Sequence, residues 1–293
     1  MAGPRQKTSA NLDEQARFAL ESYKKAQADV VTWAIRNINL PKKRPWNFED
    51  RLWQISILED PAPRMVEKKS AQVGLTTVNL IKILHYLNYH NATAMYTLPR
   101  RDDISDFTNL TLDPIIQQSP HLSGIIATSD SVRLKEFRAK IMLPDGSTDD
   151  IISNFHLMEA SVEPRMIPVD ILANDEIDRT ENQDYLNQFL SRLDDSNDPH
   201  HFQYSTPTAP GFGIDAMFEG TTQNEWLVKC SACSVEQELD WGEWNIWDKN
   251  FNPEPEPHYM CQHCHANMPP ETIISGRWVP KYPGKDIVGY HVS

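Results

Sequence analysis

A mostly parallel β-sheet covered by helices, an α/β fold, is what this sequence predicts, and three observations predict it. From about residue 46 to 220, apolar strand-like runs alternate with helical stretches, the pattern that strand–helix–strand units impose. The segment Lys69-Ser70-Ala71-Gln72-Val73-Gly74-Leu75-Thr76 joins a basic strand-like run to a helix. A later apolar run, Val169 to Asn174, closes on the adjacent carboxylates Asp175 and Glu176.

The elements follow in chain order. Residues 10 to 38 lack Gly and Pro and set Leu12, Phe18, Val30, Trp33 and Ile35 among many charges, which suggests an amphipathic helical arm within residues 1–45, ended by Pro41 and Pro45. Its apolar positions are too few for a domain core, so the arm is expected to dock on a partner. A sheet-bearing domain is expected over 46–222, with a helix from Thr76 to about His90 and a strand from Ala92 to Leu98. Pro144-Asp145-Gly146-Ser147 reads as the turn of an attached antiparallel hairpin. A small cysteine-bearing module is expected over 223–280, with Asn252 to Pro257 as an extended proline-rich loop.

The loop from Lys69 to Thr76 carries the first chemistry. Backbone N–H groups between a strand and a helix's first turn converge where the helix dipole favours negative charge, so phosphates dock there. Gly74 lets the backbone approach, Thr76 supplies a hydroxyl for Mg²⁺, and a lysine must neutralise the phosphate oxygens. A regular loop of this kind has Lys immediately before the Ser or Thr, where this chain has Leu75; Lys69 at the loop's front is expected to replace it. Taken alone, the segment also reads as an ordinary strand-to-helix turn. Asp175 at the end of a buried strand suits a metal held through water, and Glu176 a general base for the attacking water. A solvated acidic turn before the next helix is the plainer alternative. Ser205-Thr206-Pro207-Thr208 at the tip of the strand-like run His201 to Tyr204 suits a sensor of the γ-phosphate. Trp46 and Gln54 are candidates to border the adenine, although core packing explains Trp46 equally well. ATP and Mg²⁺ are therefore the expected ligands.

The four cysteines form two knuckles, Cys230-Ser231-Ala232-Cys233 and Cys261-Gln262-His263-Cys264. Four thiolates in that arrangement fit tetrahedral Zn²⁺; redox chemistry is the alternative. The separation exceeds the roughly 15–20 residues of a common ribbon, and the proline-rich loop absorbs the excess. His258, His263 and His265 are read as bystanders. Trp226, Trp241, Trp244, Trp247 and Trp278 crowd the module and are expected to pack it, with an aromatic platform for nucleic acid as the sharper alternative.

Arg44 to Ser119, with Pro45-Trp46, the Ala71-to-Thr76 loop, Tyr96-Thr97-Leu98-Pro99 and Asp113-Pro114-Ile115-Ile116, together with Asp175-Glu176-Ile177-Asp178-Arg179 and Ser205-Thr206-Pro207-Thr208, resembles the large terminase subunit of tailed bacteriophages, lambda-like branch. The likeness spans roughly residues 44 to 293. It implies an additional-strand P-loop ATPase that drives double-stranded DNA into procapsids, with the small terminase subunit and the portal as partners and an active homo-oligomer in the host cytoplasm rather than the virion. It also implies a two-metal nuclease domain built on a carboxylate cluster. Only Glu271 and Asp286 follow the knuckles, so residues 281–293 are expected to begin the connection to a nuclease absent from this chain, which should not cut DNA. Leu75 departs from many relatives and bears on the rate of hydrolysis. A helicase-like nucleic-acid ATPase, or a nucleotide-binding scaffold with weakened catalysis, is the alternative.

The net charge of −13 is unexpected for a DNA-handling protein, so DNA contact should be local. Lys42-Lys43-Arg44, Arg100-Arg101 and Arg133/Lys135/Arg138/Lys140 are candidates, with a solvated charged face as the favoured reading of each. At 293 residues and 40% hydrophobic content the chain can bury a sizeable core, and no apolar run approaches the ~20 residues of a membrane span.

Overall fold

The computed structural model describes residues 29–49, 51–128, 131–143, 147–239, 251–252 and 258–292. The first part of the arm with Leu12 and Phe18, the turn at 144–146, Trp241, Trp244, Trp247 and Pro253–Pro257 lie outside the described residues.

Helices α1 (Val30–Asn37) and α2 (Trp53–Glu59) precede strand β1 (Arg64–Lys69), helix α3 (Leu75–Tyr89), strand β2 (Thr93–Leu98) and helix α4 (Arg101–Phe107). Further helical turns lead to β3 (Ile126–Thr128), then β4 (Leu134–Met142), β5 (Thr148–Glu159) and β6 (Ile171–Asp175). Helix α5 (Gln183–Leu190), β7 (His200–Ser205), α6 (Gly213–Glu219), β8 (Asn224–Lys229), β9 (Glu236–Glu238), α7 (Pro270–Ile274), β10 (Arg277–Pro280) and β11 (Val288–Val292) complete the chain.

One 11-stranded sheet runs β9-β8-β11-β1-β7-β6-β2-β5-β4-β3, with β10 paired to β8. The strands from β8 to β5 pair in parallel, and β9, β10, β4 and β3 join antiparallel. Central strands covered on both faces need no polar side, and β6 is buried at all five positions. β7 lies between the loop-bearing β1 and the carboxylate-bearing β6, the additional strand the sequence predicts. Helix α3 is buried nearly all round, at ten positions from Leu75 to Tyr89, because it fills the space between sheet, α1 and α2.

Three expectations are corrected. The arm does not stay apart from the core: Trp33 is 2% exposed in the main cluster, and its ring meets His85 of α3 edge-on at 5.2 Å. Short α1 alone has few apolar positions, yet α3 supplies the opposite wall. Residues 288–292, within the expected connection, are strand β11, paired in parallel with β1 from Val288↔Met65 to Val292↔Lys69. The module over 223–280 is likewise continuous with the sheet through β8 and β10. Lys135 is no surface cation, being 1% exposed and ion-paired to Asp113 at 2.7 Å. It alternates in phase with buried Phe137 and Ala139 along β4.

Candidate active site and cysteine centre

The phosphate-type loop leaves β1 at Lys69 and enters α3 through Gly74, whose φ of 88° is left-handed. A Cβ there would sit 2.7 Å from Arg51 Nη1 and 3.0 Å from Gln54 Nε2, so glycine answers both the backbone and the space. Gln72 is also left-handed, at φ 61°, without being glycine. Ser70, Ala71 and Gln72 are exposed, and Val73, Gly74 and Thr76 are half-buried. Leu75, which stands where a regular loop has its lysine, is 1% exposed in the hydrophobic core. A charged side chain there would face the core, so the cation comes from elsewhere.

Lys69 stands at the loop's front. It is 6% exposed, and its ammonium lies 2.8 Å from Glu176 Oε1. Thr76 Oγ1 donates to Asp175 Oδ2 at 3.0 Å, so the hydroxyl and carboxylate expected to share Mg²⁺ already meet. Tyr96 OH donates to the same oxygen at 2.7 Å, an anchor the sequence reading misses. Its signal was a buried strand tyrosine, whose hydroxyl needs a partner. Burial pushes the Asp175 carboxyl up to about 6, against the opposing pull of Lys69. Glu176 sits at φ 53°, ψ 44°, with its N–H on Tyr204 O at 2.9 Å. The left-handed turn swings it out of β6 toward Lys69.

Ser205, Thr206 and Thr208 do not reach this cluster through their side-chain hydrogen bonds. Ser205 and Thr208 gather on Asp178, which the plainer alternative placed in a solvated acidic turn. Asp178 Oδ2 accepts from Thr208 N at 2.9 Å and Thr208 Oγ1 at 3.1 Å, and Oδ1 accepts from Ile214 N at 2.8 Å. Asp178 N donates to Ser205 Oγ at 3.2 Å. Asp178 thus ties the turn after Glu176 to the loop before α6.

Beneath the loop, one register line crosses the sheet through Tyr290, Glu67, Tyr204 and Asp175. Glu67 is fully buried and accepts from Asn79 Nδ2 at 2.6 Å through Oε2. Its other oxygen and Asn79 Oδ1 lack partners among the described residues. Burial raises Glu67 to about 7.

Beside the loop lies a cavity of about 370 Å³ lined by Trp46, Phe48, Arg51, Gln54, Gly74 and Thr77 among others. Gln54 Nε2 donates to Val73 O at 3.0 Å and Arg51 Nη1 to the same oxygen at 3.4 Å, so α2 and its approach grip the loop. Trp46 is 5% exposed and packs edge-on against Phe48.

The four cysteine sulfurs lie within 4.8 Å of one another. Cys230 and Cys264 Sγ are 3.8 Å apart, and Cys233 and Cys261 Sγ 3.6 Å. Tetrahedral Zn–S bonds of ~2.3 Å put sulfurs about 3.8 Å apart, so the residues fit zinc. Both knuckles turn alike: Ser234 N bonds Cys230 O, His265 N bonds Cys261 O, and Ser234 and His265 have positive φ. Gln237 Nε2 donates to Cys261 Sγ at 3.1 Å, as suits a thiolate. Among the described residues no histidine joins the cluster.

The family model of the phage terminase large subunit gpA, ATPase domain, matches residues 56–278. No curated protein matches the chain. The large terminase of bacteriophage HK97 matches in structure with a TM-score of 0.51 at 15% identity, over 65% of this chain and 40% of that one. The large terminase ATPase domain of Thermus phage P74-26 matches with a TM-score of 0.48 at 12% identity, over 82% of this chain and 79% of that one. The chain thus spans less than half the length of the HK97 protein, and the likeness is one of fold. The family match takes in more than half of the sequence, and the chain belongs to the phage terminase large subunit gpA family, ATPase domain.

Proposed function

We propose that this chain is the ATP-hydrolysing motor part of a terminase that drives double-stranded DNA into a procapsid. The observation that carries the reading is the meeting of Lys69, Asp175 and Glu176, at the C-terminal ends of the parallel strands β1 and β6, with Thr76 in the first turn of α3, beside a cavity large enough for a base. The backbone of Ser70 to Gly74 cradles the phosphates, and Lys69 neutralises them. Thr76 and Asp175 would hold Mg²⁺, which would supply positive charge to the phosphate oxygens. Glu176 takes the proton of the attacking water. Lys69 pairs with Glu176, so docking of phosphate on Lys69 would free the base. Asp178 carries the change at Glu176 to Ser205, Thr206 and Thr208, which couple it to movement. Cys230, Cys233, Cys261 and Cys264 hold a structural Zn²⁺. Double-stranded DNA, the small terminase subunit, the portal and further copies of this chain are the partners, in the host cytoplasm.

Turnover of ATP by the purified chain, with and without double-stranded DNA, tests this. Glu176→Gln should retain ATP binding and lose at least ~100-fold in hydrolysis. A Gln variant that turns over like wild type overturns the assignment.

A further inference from the structure

The cysteine module is wired to the nucleotide pocket by a path of named contacts. β8 runs directly into Cys230 and pairs with β10, setting Trp226 opposite Trp278. Their rings meet edge-on with centroids 5.3 Å apart. Trp226 turns inward, its N–H on Ile273 O of α7 at 3.2 Å. Trp278 turns the other way, and its N–H donates to Trp53 O at the start of α2 at 2.9 Å. The next residue of α2 is Gln54, which holds Val73 O in the loop. Trp278 also packs edge-on against Tyr290 of β11, at 4.9 Å. β11 ends with Val292 O accepting from Ser70 N at 2.7 Å, so it holds the loop's other end.

Among the described residues the module's buried cluster is small, Val228, Cys230, Cys261 and Met268, with Trp226, Leu239, Tyr259 and Ile273 packed against it. A core that small depends on its metal for order. Order in the module therefore fixes β10, and β10 fixes α2.

We infer that Trp278 is a positioning residue through which the four-cysteine module sets the nucleotide pocket, by holding the carbonyl of Trp53 on the helix whose Gln54 grips the phosphate loop. The inference rests on the reading of that loop as an ATP site. It replaces the simpler expectation, natural from two separate sequence segments, that the module and the nucleotide site act independently. Trp278 touches no nucleotide; it acts on affinity through Trp53 and Gln54, leaving Glu176 and Asp175 in place.

The test uses the full chain and three measurements: dissociation constants for ATP and ADP, steady-state turnover, and zinc content with thermal melting. Trp278→Phe keeps the ring and removes the N–H. It should bind nucleotide about fivefold more weakly, the scale of one hydrogen bond, with KM raised, kcat unchanged and zinc retained. Trp226→Phe, which breaks only the bond to Ile273, should leave nucleotide affinity within twofold of wild type. Chelating the metal should weaken nucleotide binding about fivefold or more in wild type and add less than twofold in Trp278→Phe. Unchanged affinity in a folded Trp278→Phe overturns the inference, as does an equal loss in Trp226→Phe, which would mark general loosening of the module. A wild-type chain that binds no nucleotide overturns the ATP-site reading beneath it.

Discussion

Replacing Glu67 with Gln should make the nucleotide-free protein more stable at alkaline pH. Glu67 is fully buried beneath the phosphate loop, and burial raises its carboxyl from 4.5 to about 7. A carboxyl with a raised folded value contributes stability that is fully present below the unfolded value and lost as pH rises through the folded one. The wild type therefore loses this contribution between about pH 4.5 and 7. The difference corresponds to ~3 kcal/mol at pH 8.5. Gln carries no charge, keeps an oxygen for Asn79 Nδ2, and offers an N–H to a neighbourhood where Asn79 Oδ1 lacks a partner among the described residues. With roughly 2 °C in Tm per kcal/mol for a chain of this size, Glu67→Gln should melt about 6 °C higher than wild type at pH 8.5, and within about 2 °C of it at pH 5. Calorimetry without nucleotide or Mg²⁺ at the two pH values measures this. A gap that is the same at both, or a variant less stable at pH 8.5, would refute the argument that Glu67 is held as a costly buried carboxylate.

Three further outcomes are expected. Lys69→Ala should weaken both ATP binding and hydrolysis, because no lysine stands at Leu75 to replace it; normal hydrolysis in that variant would exclude the displaced-lysine role. Elemental analysis should find one zinc per chain, and Cys261→Ser should lose it; a reducing preparation without zinc would exclude the metal centre. Deleting residues 1–40 should lower Tm by about 10 °C, since it removes buried Trp33, Ala34 and Ile38 at ~3–5 kcal/mol for the tryptophan alone, whereas deleting 1–28 should leave ATP turnover intact. Equal melting of the two truncated chains would contradict the packing of α1 on α3.

The parts of the site readable in the sequence were those fixed by local chain geometry. Gly74 before an apolar helix and Asp175-Glu176 after an apolar strand announce a strand end and a helix start wherever they fall in a fold. The cysteine pairs were equally plain, since each Cys-x-x-Cys knuckle is a local turn and the two knuckles meet with all four sulfurs within 4.8 Å. What stayed hidden depended on partners distant in sequence. Trp33 looks like one aromatic in a charged arm until α3 supplies its pocket. The run from Val288 to Val292 is an apolar strand with no mark of where it inserts. Lys135 shares the alternation of Phe137 and Ala139, yet only the position of Asp113 makes a buried cation affordable there. Asp178 reads as one more acid in a turn, and its role emerges from the N–H groups of Thr208 and Ile214, which lie on the far side of β7 in sequence.

The place of β11 bears on how the molecule comes into being. The strand that leads into the phosphate loop waits for a neighbour made more than 200 residues later, so during synthesis β1 has an open flank until residues 288–292 have emerged. Pairings of such long sequence separation form late, and an exposed parallel edge is prone to pair with another chain meanwhile. The family match ends at residue 278, short of β11. A polypeptide ended at residue 278 would keep every residue proposed to touch nucleotide or Mg²⁺ and still leave β1 bare along one side, without the carbonyl of Val292 for Ser70. Such a piece should aggregate, and supplying residues 281–293 as a separate peptide should restore its solubility by filling the vacant edge.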